Sequence, residues 1–282
     1  MLLASCRAAP SAAPRERPPG DEIVVCGQRF HIGTPVVTWD QYPGRSFYDK
    51  GECFVGGPRE LDALRAQVDQ FVLHFDVCGV SSSCYEVLLQ RKLSVQFLLD
   101  VDGTLYQTMD LKERAWHATK SNARSIGVEI ANLGAYPPGK GQILDQWYAD
   151  DADGPYLVPQ KRLGDAGIRT TGFVARPARW QKVVGETQGE ELEQYDFTIE
   201  QYAALEKLAA GLCRVFPRLE PEAPRDADGS VARAVLSDEA WQQFHGILGH
   251  YHVQLNKTDP GPAFDWEPFL ARVREQLAHP KP

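Results

Sequence analysis

Between residues 59 and 132 the apolar pattern changes period repeatedly, and this constrains the fold more than any other feature. RELDALRAQVDQ spaces Leu61, Leu64 and Val68 for one face of a helix. FVLHFD then reads as a short buried strand, and SCYEVLLQRKL as a second helix. SVQFLLD and TLYQTMD are β-runs around Val-Asp-Gly, which signals a hairpin. SIGVEIAN is a further strand. Later, FTIEQYAALEKLAAGLCRVF gives a helix with capping-box spacing at Thr198 and Gln201. SDEAWQQFH reads as a short helix, and DWEPFLARVREQL as a closing one with Asp265 as N-cap. Strands interleaved with helices predict an α/β fold, with a mixed central β-sheet flanked by helices.

The ends and the middle depart from this rhythm. Residues 1–20 read as a disordered Ala/Pro-rich tail, and 21–58 as an N-terminal extension with the β-like pieces EIVVC and TPVVTW. The main domain is expected over 59–282, interrupted at 136–196 by a long Pro-, Gly- and aromatic-rich insertion. That insertion is either a functional wall or a mobile segment. Trp147 and Trp180 are its candidate sugar platforms, with packing inside a lobe as the alternative.

Leu3-Ala4-Ser5-Cys6 resembles a bacterial lipobox. It predicts either a lipid anchor at Cys6 in the cell envelope or a tail with an incidental cysteine. Among the six cysteines, Cys78 and Cys84 in CGVSSSC are the expected disulfide pair, which would fit an oxidising compartment. Cys26 and Cys53 form a weaker candidate pair, and Cys213 reads as a buried thiol. The net charge of −8 and the lack of a basic stripe exclude a nucleic-acid binder. No run approaches the roughly 18 apolar residues of a membrane-spanning helix. No feature speaks to oligomeric state.

The chemistry concentrates in GHYHVQLNKTDPGPAFDW, residues 249–266. His250 and Asp259 join His74, at the end of the FVLHFD strand, as candidate metal ligands. Two imidazoles and a carboxylate leave a fourth position for water, the ligand set of a catalytic zinc site. Taken singly, a histidine is more often a satisfied structural group, and the joint pattern is what points to a metal.

FVLHFD, FLLDVDGTLYQ, RAWHA, SIGVEIAN, GH and KTDPGPAFDW occur in an order that resembles the type 2 zinc-dependent N-acetylmuramoyl-L-alanine amidases. That superfamily includes phage lysozyme-type amidases and animal peptidoglycan-recognition proteins. The resemblance spans residues 60–135 and 197–278. It implies a single amidase domain and one Zn²⁺ per chain, held by His74, His250 and Asp259. It implies a general base at Glu129 and oxyanion support from Lys257, where the plain readings are a strand-end carboxylate and a loop cation. His117 falls at a pocket position. Trp116, Asn132 and Asn122 are candidate contacts to a glycan or stem peptide, with structural roles in turns and core as equal alternatives. CGVSSSC looks like the short disulfide loop of the recognition proteins.

Three departures stand out. The His250–Lys257 stretch is one residue shorter than in the bacterial enzymes. It lacks their usual Pro-Gly and carries His252 and Gln254. Gln96 and Val95 replace their usual His and Tyr or Ser. The implied function is hydrolysis of the bond between N-acetylmuramic acid and L-alanine in peptidoglycan or muropeptides. The competing readings are a non-catalytic peptidoglycan-binding protein, and cytoplasmic recycling of muropeptides by the same chemistry.

Overall fold

The structure, a computed structural model, describes residues 19–48, 54–164 and 166–279. Its elements in chain order begin with β1 (Gly20–Val25), β2 (Gln28–Thr38), β3 (Phe54–Gly56), α1 (Leu61–Gln67), β4 (Gln70–Phe75) and α2 (Ser81–Gln90). There follow β5 (Phe97–Leu99), β6 (Leu105–Gln107), β7 (Glu113–Ala115) and β8 (Ser125–Ile130). The insertion contributes α3 (Gln142–Trp147) and two hairpins, β9 (Tyr148–Asp151) with β10 (Gly154–Leu157) and β11 (Val183–Thr187) with β12 (Glu190–Gln194). The chain closes with α4 (Ile199–Val215), α5 (Asp238–Gln243), β13 (Gly246–Gly249), α6 (His250–Val253) and α7 (Trp266–Ala278).

Among the described residues seven strands form one mixed sheet, in the order β1-β2-β6-β5-β8-β4-β13. The β2–β6, β5–β8, β8–β4 and β4–β13 pairs are parallel, whereas β1–β2 and β5–β6 are antiparallel. The segment read from sequence as an extension thus supplies two strands of the main sheet. The expected hairpin forms at β5–β6, where Gly103 takes a φ of 80°.

Period-two alternation sorts the strands' side chains between the two faces. Phe71, Leu73, Ile126, Val128, Phe97 and Leu99 join one core with α4 and α7, including Leu205, Leu208, Phe269 and Val273. Each fully buried side chain of this size contributes about 1.5–3 kcal/mol. The capping box of α4 is complete: Thr198 accepts from Gln201 N–H, and the Gln201 amide accepts from Thr198 N–H. On the other face α2 places Cys84, Tyr85 and Leu88 against Leu98 and Tyr106. His74 and Glu129 alternate with the first core, so they leave it. At α7, Asp265 occupies the N-cap position without a side-chain capping bond; its N–H donates to the Tyr202 hydroxyl instead.

No described helix is long and apolar enough to cross a membrane. Cys6 and Cys53 lie outside the described residues. Trp147, a candidate platform, is buried beneath the insertion lobe with Leu133 and Leu144, which corrects that expectation. Trp180 is exposed, but its indole covers Gly154 and it does not line the cleft described below.

Asp100, in the β5–β6 turn, accepts from Ser81 and Val101 N–H through Oδ1, while Oδ2 is buried without a partner. Burial pushes its carboxyl from 3.8 to about 7. A folded pKa above the unfolded one means that its stabilising contribution is full below about pH 4 and is lost as pH climbs through 7. Asp100→Asn keeps both acceptor bonds and is expected to flatten this decline in urea titrations across that range. An unchanged slope would contradict the assignment.

Candidate functional site

Three parallel neighbours build the site at their carboxyl ends, the usual place for ligands in such sheets. β4 and β8 pair with His74 opposite Glu129. β13 lies beside β4 with Gly249 opposite Leu73, so His250, the next residue, emerges next to His74. His250 opens the one-turn α6, and the following loop returns Asp259, whose carbonyl accepts from Tyr251 N–H.

The result is a triangle. His74 Nδ1, His250 Nδ1 and Asp259 Oδ2 lie 2.9 Å from one another on every side. All three residues are buried, with 2%, 4% and 6% of their surface exposed. They form the group of side chains able to hold a metal among the described residues.

The neighbouring hydrogen bonds settle which ring nitrogens carry protons. Ser125 Oγ donates to Ser121 O at 2.7 Å, so toward His117 Nε2, at 3.3 Å, it can only accept. His117 is therefore protonated at Nε2 and accepts at Nδ1, where His74 Nε2 donates at 2.9 Å. His250 Nε2 donates to Gln254 Oε1 at 2.7 Å. A neutral imidazole carries one N–H, so both Nδ1 atoms present lone pairs. Two lone pairs and a carboxylate oxygen then face one another in a buried space with no proton to bridge them. A cation resolves that repulsion. A tetrahedral ion with bonds of about 2.0–2.1 Å separates its ligands by about 3.3 Å, close to the spacing here. Partners of this kind fix the ring orientation of metal-binding histidines.

Burial and the His250 ring, opposed by Asp259, lower His74 to about 4. Burial alone would raise Asp259, yet the His250 and His74 rings hold its carboxyl far below the usual range. Burial, then the Asp259, Asp76 and Cys78 charges, push Glu129 well up, with Lys257 opposing.

A cleft of about 230 Å³ opens over the triangle and is lined by Glu129, Lys257, His117, Trp116, Arg91 and Asp76 among others. A groove of about 460 Å³ continues past Trp116, Arg114 and Lys257. The structure therefore brings together His74, His250, Asp259, Glu129, Lys257, Trp116 and His117. It does not bring Asn132, which is buried: its amide donates to Tyr195 O and accepts from Gly134 N–H and Gln194. Asn122 caps a turn, accepting from His117 and Ala118 N–H, and also lines the groove.

The Cys78–Cys84 expectation also needs correcting, since both stand as free thiols joined by a side-chain hydrogen bond. Burial, the Cys78 contact and the nearby Glu129 and Asp76 push the Cys84 thiol well up, while the hydrogen bond with Cys84 lowers the Cys78 thiol.

His252 is fully buried and structural, accepting from Gly249 N–H and donating to Ala232 O. Gln96, buried, accepts from Gly127 N–H and does not line the cleft. Gly127 itself leaves room for the His117 ring, which a Cβ would approach to 2.6 Å. Sequence reasoning missed Ser125 as a partner. Gln254 carried a signal in its four-residue spacing from His250.

Residues 64–262 match the family described as N-acetylmuramoyl-L-alanine amidase, and the chain belongs to that family. Similar solved structures include the Escherichia coli amidase AmiD in complex with an anhydro-N-acetylmuramic acid peptide substrate, at 17% identity and a TM-score of 0.40. That match covers 73% of this chain and 57% of AmiD. An AmpD derivative matches at 16% identity and a TM-score of 0.37, covering 79% of this chain and 89% of AmpD. The Drosophila recognition protein PGRP-SD matches at 13% and 0.40, covering 82% and 90%. No protein of curated function matches in sequence.

Ser125→Ala removes the acceptor that fixes the His117 tautomer. Zinc affinity, measured by competition with a chromogenic chelator, is expected to fall roughly tenfold, as for other partners of metal ligands. Wild-type affinity in this variant would contradict the proton assignment.

Proposed function

We propose that the protein hydrolyses the amide between N-acetylmuramic acid and L-alanine in peptidoglycan or muropeptides, using one zinc ion held by His74, His250 and Asp259. The observation that carries this reading is the buried triangle of three acceptor atoms, with Glu129 set opposite His74 at the mouth of the same cleft. Membership of the amidase family gives the substrate class.

When bound, the ion supplies Lewis acidity to the scissile carbonyl and acidifies the attacking water. Glu129 takes a proton from that water as it attacks, then returns it to the departing L-alanine nitrogen. Burial and the neighbouring carboxylates raise its proton affinity, which favours the uptake of the proton from water. Lys257 lies in the cleft and brings positive charge toward the oxyanion; one such donor is worth about 3 kcal/mol. Trp116, 37% exposed, offers an indole face to a sugar ring, and His117 orients His74 from beneath. We place the reaction in the cell envelope, with Cys6 as the anchor, on the strength of the lipobox-like Leu-Ala-Ser-Cys alone.

Digestion of purified peptidoglycan followed by mass analysis is expected to show free L-alanine amino termini. Glu129→Gln is expected to keep its zinc and to lose about 10²–10⁴ in turnover. Binding without cleavage by the zinc-loaded wild type would favour a recognition protein instead.

A further inference from the structure

The β11–β12 hairpin lies in the insertion and contributes no group to the reaction above. Its two-residue turn is Gln188–Gly189, with φ of 57° and 76°. Asparagine, aspartate or glycine is preferred at the first position of such a turn, because these residues tolerate the left-handed backbone. Glutamine breaks that local rule, and breaks of this kind concentrate where a side chain has another task.

The Gln188 side chain reaches away from its hairpin. Its amide donates to Tyr251 O at 2.8 Å and Gln254 O at 3.0 Å, and accepts from Val235 N–H at 3.0 Å. α6 has only four residues, too few to hold its own orientation. Gln188 ties down the carbonyls at its far end. One of these belongs to Gln254, whose side chain receives the His250 proton.

The other end of the hairpin grips the second ligand segment. Gln194 is fully buried; it donates to Pro260 O at 3.1 Å and accepts from Ala263 N–H at 3.1 Å. Pro260 directly follows Asp259. A Cβ on Gly261 would come within 2.1 Å of Gln194 Oε1, so this contact is close.

We propose that the β11–β12 hairpin is a brace that presets the ligand triangle, with Gln188 and Gln194 as positioning residues for the bound cation. The proposal rests on the zinc reading above. One element thereby fixes His250 through α6 and Asp259 through its loop, and the insertion acquires a role in metal retention.

Gln188→Asn separates this role from plain structure. Asparagine suits the turn better, but its side chain is one methylene too short to span to α6. The metal-free variant is expected to unfold at the same temperature as wild type or higher. Its zinc affinity, from chelator competition, is expected to fall roughly tenfold, and the visible absorption of the cobalt-substituted chain to change. Gln194→Glu keeps the shape, loses both donated bonds and is expected to show the same loss. Wild-type zinc affinity and cobalt spectra in Gln188→Asn would overturn the brace while leaving the zinc reading intact. A wild-type chain that takes up no zinc would overturn both.

Discussion

Three acceptor atoms meeting 2.9 Å apart in a buried space set the terms for the rest of this structure. Such an arrangement is repulsive unless positive charge enters it, so every surrounding element must hold the atoms in place against that repulsion. The parallel β4–β8 and β4–β13 ladders do so for His74 and the start of α6. The Ser121–Ser125–His117 relay does so for the His74 ring, and Gln254 for the His250 ring. The sheet is thus less a passive core than a frame whose carboxyl edge delivers chemistry.

The same frame explains why Glu129 is poised rather than simply acidic. Strand alternation removes it from the apolar face shared with α4 and α7, and the β4–β8 register sets it opposite His74. There, burial and the neighbouring Asp259 and Asp76 raise its proton affinity, while Lys257 tempers the effect. A bound cation would add to the Lys257 effect, lowering the proton affinity of the carboxyl and favouring the ionised form that can accept a proton.

Much of this was legible in the sequence because the relevant signals are local. The capping box at Thr198, the Val-Asp-Gly hairpin and the apolar stripe of α4 depend on neighbours within a few residues. The residues of the ligand triangle were legible through the order of their motifs. What was not legible depends on contacts between distant segments. Trp147 looked like a surface platform because aromatic residues give no periodic signal, and only the lobe's packing buries it. Asn132 looked like a substrate contact because its partners, Tyr195 and Gln194, lie more than sixty residues away. The roles of Ser125, Gln188 and Gln194 were hidden for the same reason. The Cys78–Cys84 spacing did bring the two side chains into a hydrogen bond, but spacing does not decide whether they are bridged.

Anomalous diffraction at the zinc absorption edge, from crystals of the zinc-loaded chain, tests the central claim most directly. A single strong peak within bonding distance of His74 Nδ1, His250 Nδ1 and Asp259 Oδ2 is the result expected. A peak elsewhere, or one bonded through the Nε2 atoms with the His117 and Gln254 contacts broken, would contradict the account.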